Sequence, residues 1–117
     1  MKPECIYIAC RLTSTHPIEY LYNLKQSFKA AAELWRKGHY PFTPGLDLHI
    51  YFELDGRYGA GGRLPYAASL EWLRRCDSVL ILNGLEDSRG VQLEHKEAQR
   101  LGMKTYYSFD EIPEALI

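Results

Sequence analysis

The residues best suited to chemistry in this 117-residue chain gather around Glu94. Val91, Glu94, Ala98 and Leu101 recur at steps of three, four and three, the spacing of one helical face. Three of them are apolar and one is a carboxylic acid. Burying a charged carboxylate is costly unless it is paired or hydrogen-bonded, so an acid on an inward stripe has a reason to be there. Spacing leaves a plainer reading open, in which Glu94 sits at the edge of the stripe and reaches solvent, or pairs with Arg11 or Arg89.

The segment leading into this helix reads Gly84-Leu85-Glu86-Asp87-Ser88-Arg89-Gly90. Asp87 or Ser88 can cap the helix, and Gly90 lets a ligand approach the first-turn backbone. Free N–H groups and the positive dipole end would favour an anion such as a phosphate. A capped helix with nothing bound fits the same residues. Elsewhere His16, His39, His49 and His95 read as surface or loop residues, and no Ser-His-Asp arrangement suggests itself. The phosphate-loop pattern G-x-x-x-x-G-K-[ST] is absent, as is G-x-G-x-x-G after the first strand. Gly59-Ala60-Gly61-Gly62 precedes no such strand-to-helix junction and reads as a hinge.

Composition narrows the setting. A net charge of -1 gives no general attraction to nucleic acid or anionic membrane. No apolar run reaches the roughly 20 residues of a membrane span, and the first residues do not resemble a secretory signal. The three cysteines, Cys5, Cys10 and Cys76, share no ligand spacing and read as reduced, mostly buried thiols of a cytoplasmic protein. With the histidines scattered, neither a metal site nor a cofactor is expected.

The elements that must position Glu94 alternate. Glu4–Cys10 reads as a buried strand. Ser14, Thr15 and Pro17 start a helix with an inward face of Leu21, Leu24, Phe28, Ala31 and Trp35, closed by Gly38. Tyr40–Thr43 reads as a second strand. The stretch 45–64, rich in glycine and aromatic residues, reads as a long loop that is a lid, a binding loop or a disordered segment. A helix from Pro65 to Cys76, a central strand Ser78–Leu82 and a turn Asn83–Asp87 follow. The chain then runs through the Glu94 helix, a strand Lys104–Ser108 and a short helix Asp110–Leu116. This order predicts one α/β domain over residues 1–117, a small flavodoxin-like or Rossmann-like three-layer sandwich. Its sheet would have four or five strands, mainly parallel, with right-handed crossovers. In a flavodoxin-like strand order the ligand crevice lies beside the ends of strands one and three.

With those elements in place, Leu70–Tyr107 resembles the C-terminal half of the nucleoside 2-deoxyribosyltransferase superfamily, which includes 2'-deoxynucleoside 5'-phosphate N-hydrolases and an uncharacterised bacterial and phage branch. That branch has a helix ending in Cys-Asp, a strand, a Gly-Trp-Glu-x-Ser-x-Gly-like turn and a Glu-containing helix. Cys76-Asp77, Gly84-Leu85-Glu86, Ser88, Gly90 and Glu94 match it here. The resemblance implies that Glu94 is a nucleophile attacking the anomeric carbon of a (deoxy)ribosyl group, and that Ser88 lies where a 5'-phosphate is held. It further implies a homodimer or larger assembly. Two positions depart from the pattern. Ser69 stands where an aspartate is usual, and Cys10-Arg11-Leu12-Thr13 replaces a glycine-rich turn. Asp47, Asp55 or Glu53, or a partner subunit, would then supply the missing acid.

Two readings follow. In the first, the protein is an N-glycosidase or deoxyribosyltransferase for a nucleoside or nucleotide. Its catalytic residue is Glu94 and its pocket holds Tyr7, Arg11, Ser88, Arg89 and Gly90, with Tyr51, Phe52 and Tyr58 stacking on a base. In the second, a nucleotide-binding or regulatory protein has kept the crevice and lost turnover, which Ser69 favours.

Overall fold

The computed structural model of the chain describes residues 1–47, 49, 50, 53 and 63–115, with backbone alone for Asp47 and for residues 63–66. Strands β1 (Cys5–Ala9), β2 (Tyr40–Phe42), β3 (Ser78–Ile81) and β4 (Lys104–Tyr106) form one sheet in the order β2-β1-β3-β4. Every neighbouring pair is parallel, with Tyr7 opposite both Phe42 and Val79. Among the described residues this is the expected flavodoxin-like arrangement, at the four-stranded end of the expected range. Parallel neighbours need crossovers, which the helices α1 (Pro17–Arg36), α2 (Arg63–Arg75) and α3 (Arg89–Arg100) provide.

Alternation along the central strands splits the core into two layers. Ile6, Ile8, Leu80 and Tyr106 face α1 and pack with Ala30, Leu34 and Ile112. Tyr7, Ala9, Val79 and Ile81 face the other way, onto Leu73 of α2 and Val91 and Ala98 of α3. The four buried residues of β3 confirm it as a central strand covered on both sides.

Pro17 opens α1 as expected, and Gly38 follows its end at φ 88°. The face of α1 is a correction. Its buried residues are Asn23, Leu24, Ser27, Ala30 and Leu34, while Leu21, Phe28 and Trp35 are exposed and Ala31 is half-buried. The two polar residues tolerate burial because their groups are satisfied. Ser27 Oγ donates to the Leu24 carbonyl at 2.7 Å and Asn23 Nδ2 to the Leu12 carbonyl at 3.4 Å. The turn Pro44–Asp47, a short 3-10 helix, packs close above them. A Cβ on Gly45 would lie 2.8 Å from Leu24 Cδ1 and 2.9 Å from Ser27 Oγ.

Three smaller expectations also change. Among the described residues the final helix is absent: Phe109–Glu111 is a single 3-10 turn, and the backbone at Ile112 is extended ahead of Pro113. His39 is buried, not superficial, because its ring bridges the Glu4 N–H at 3.1 Å and the Pro113 carbonyl at 2.7 Å. Of the three thiols, Cys10 is buried, Cys76 is half-buried and Cys5 is exposed.

Candidate active site

Helix α3 carries its acid into the layer between itself and the sheet. Val91, Glu94 and Ala98 are its buried residues, as the stripe predicts, although Leu101 at the helix end is exposed. Ser88 is the N-cap, its Oγ accepting from the Val91 N–H at 3.4 Å. Before it, Gly84 takes φ 85°, which lets the chain turn from β3 into α3. The turn is tightly packed: a Cβ on Gly84 would meet Ser88 Cβ at 3.0 Å, Val91 Cγ2 at 3.1 Å and Arg11 Cβ at 3.3 Å. The Arg11 N–H donates to Asn83 Oδ1 at 2.7 Å, tying the end of β1 to the end of β3.

Glu94 is 9% exposed, and the hydroxyl of fully buried Tyr7 donates to its Oε2. Of the two partners proposed from spacing alone, Arg11 is engaged elsewhere and Arg89 is exposed. Burial pushes the Glu94 carboxyl up to about 8, against the opposing pull of the Tyr7 hydrogen bond. The acid is therefore largely protonated at neutral pH, which is how a carboxyl group is kept inside an apolar layer. Nearby Cys10 is pushed up to about 12 by its own burial and then by the Glu94 charge, so it stays an unreactive thiol.

Behind Tyr7 lies an aromatic ladder that the sequence did not announce. The Tyr7 ring stacks on Phe42 with centroids 5.8 Å apart, and Phe42 stacks on Trp72 at 5.1 Å, both pairs at 23° between planes. The three rings come from β1, β2 and α2, so no local spacing links them. Trp72 is 52% exposed, which carries the ladder from the Glu94 hydroxyl partner out to solvent.

The structure brings some of the other expected residues together. Arg11 reaches the start of α3, where its guanidinium pairs with Asp87 and, at 3.4 Å, with Glu86. An incoming phosphate would have to displace these carboxylates. Arg89 is exposed and Gly90 half-buried in the first turn of α3, and Ser69 is half-buried on α2. The Asp47 side chain and all of Asp55 lie outside the described residues, as do Tyr51, Phe52 and Tyr58. Glu53 is exposed in a turn. On the opposite sheet face, Gln26, Lys29, Glu33, Asn83 and Phe109 line an open cleft of about 550 Å³ that does not include Glu94. Among the described residues no helix is long and apolar enough to cross a membrane.

The comparisons agree with this architecture. The solved 2-deoxyribosyltransferase from the psychrotolerant bacterium Bacillus psychrosaccharolyticus, described as a biocatalyst for the synthesis of antiviral and antitumoral nucleosides, superposes with a TM-score of 0.60. The match covers 97% of this chain and 98% of that one at 18% identity, a likeness of fold. No curated protein matches the sequence. The family match runs over residues 5–107, from β1 past β4, and so takes in Tyr7, the turn at Gly84 and Glu94 together: the chain belongs to the family described as Domain of unknown function (DUF4406).

Proposed function

We propose that the protein is a nucleoside or nucleotide N-glycosidase or deoxyribosyltransferase in which Glu94 attacks the anomeric carbon. The observation that carries this reading is the buried Glu94 carboxyl held by the Tyr7 hydroxyl on a helix face otherwise made of hydrocarbon. Strongly perturbed acids with a specific partner gather at functional sites. The deoxyribosyltransferase named above shares the fold and acts in nucleoside synthesis, which supports this substrate class.

The chemistry follows from the carboxyl and its partner. Glu94 first gives up its proton to solvent water, and the Tyr7 hydrogen bond stabilises the resulting carboxylate. One oxygen then bonds to the anomeric carbon as the bond to the base nitrogen breaks, and the bond's electron pair leaves with the base. An acid protonates the departing base, and Asp47, Asp55, Glu53 or a group from a partner subunit is the candidate for that role. Water or a second base attacks the glycosyl ester and frees Glu94 again, the two-step logic of retaining glycosidases. The Phe42–Trp72 stack backs the Tyr7 ring and fixes the direction of its hydroxyl.

A panel of ribo- and deoxyribonucleosides and their 5'-monophosphates, followed for free base by chromatography, tests the reading. Base release from some member, lost in Glu94→Ala, is the expected result. Ser69 in place of the usual acid favours a second reading, a nucleotide-binding protein without turnover. Thermal stabilisation by a panel member with no base released would establish that alternative.

A further inference from the structure

Helix α1 turns a second apolar face away from the sheet. Ile18, Leu21, Lys25, Phe28, Ala32 and Trp35 follow one another at steps of three and four, the a/d spacing of a coiled-coil seam. Ile18 is 72% exposed, Leu21 59%, Phe28 40% and Trp35 70%, with Tyr22 beside them at 62%. At about 200 Å² for a large apolar side chain, these five residues show roughly 600 Å² of apolar surface. Monomeric proteins rarely leave more than about 300–600 Å² contiguous, and one side of an ordinary protein interface covers about 800 Å². The stripe and its polar margins therefore have the area that one half of a dimer interface needs.

We propose that α1 packs antiparallel against α1 of a second copy of this chain across a two-fold axis. The seam is its own complement in that orientation. Ile18 lies beside Trp35 of the second copy, Leu21 faces the small Ala32, and the Lys25 ammonium lies over Phe28. A parallel pair would instead put two Lys25 side chains in one layer. Charge selects the same orientation. Glu19 stands in the first turn of α1 and Arg36 in the last, so an antiparallel pair brings opposite signs together at both ends. Since α1 covers the sheet face away from Glu94, the pairing is independent of the chemistry proposed above.

Light scattering on the full chain over a range of concentrations tests this. The expected mass is twice the 13.5 kDa of the monomer. Leu21→Glu and Trp35→Glu should each raise the dissociation constant at least about tenfold, and Lys25→Leu should lower it. Circular dichroism of the two glutamate variants should keep the parent's helix content, because both positions face solvent. A monomer at every concentration would assign the stripe to a different partner and overturn the proposal. A dimer indifferent to both glutamate substitutions would overturn it equally.

Discussion

Helix α3 buries a carboxylic acid among apolar residues, whereas α1, across the same sheet, exposes Leu21, Phe28 and Trp35 while burying Asn23 and Ser27. Both helices carry a stripe at three- and four-residue spacing, and the stripes have opposite fates. On α3 there is only one stripe to choose, so its inward face and the odd acid on it can be read directly. On α1 there are two. Leu24, Ala30 and Leu34 form one and Leu21, Phe28 and Trp35 the other, and the more apolar of the two is the one left outside. Periodicity therefore reports that a helix has an apolar face, and a neighbour decides what that face meets.

The contrast can be broken or sharpened by substitution, beginning with the largest effect. Glu94→Ala should lower base release on the order of 10³-fold or more, while Leu21→Glu on α1 leaves the rate per site unchanged. Equal losses in an assay of both variants would erase the functional distinction between the two faces.

The second effect concerns pH. The folded-state pKa of Glu94 lies above its unfolded value, so the native state holds a proton that the unfolded state releases. Its contribution is fully present below the ordinary carboxylate value of 4.5 and is lost as pH rises through about 8. The full swing is ~5 kcal/mol. Urea titrations at pH 5 and pH 9 should show the parent losing stability over that interval and Glu94→Gln losing much less. Parallel curves would mean that the buried acid is not the titrating group.

Helix α1 supplies the third test. Leu34 is fully buried and Trp35 beside it is 70% exposed. Leu34→Ala should cost about 2–5 kcal/mol in chemical denaturation of the monomer, and Trp35→Ala about 0.5 kcal/mol or less. The reverse order would restore the face that the apolar spacing suggests. The smallest effect belongs to the helix cap. Ser88→Ala should cost about 1 kcal/mol of stability through the lost bond to the Val91 N–H. A larger fall in nucleotide affinity than in nucleoside affinity for that variant would show Ser88 contacting a 5'-phosphate as well.

Much of the scaffold is legible in the sequence, because buried parallel strands and a capped amphipathic helix have local signatures. The run Ser78–Ile81 and the Ser88 cap are of that kind, and Glu94 stands out against its stripe. What stays hidden depends on distant partners. Nothing near Tyr7 in sequence indicates that Phe42 and Trp72 will stack behind it. Nothing near Arg11 indicates that Glu86 and Asp87 will occupy its guanidinium. His39 is polar and looks superficial until the backbone groups of Glu4 and Pro113 are placed on either side of its ring. The face of α1 was obscured for a related reason, since Asn23 and Ser27 can be buried only where carbonyls accept their hydrogens.

The central claim is that Glu94 forms a covalent bond to a sugar. Its most direct test is intact-mass spectrometry of the protein mixed with a slowly turned-over 2-fluoro-2-deoxynucleoside and quenched in acid, followed by peptide mapping. One fluorodeoxyribosyl group should be added to the peptide containing Glu94 and should be absent from Glu94→Gln. An adduct on another residue, or base release with no adduct at any quench time, would contradict it.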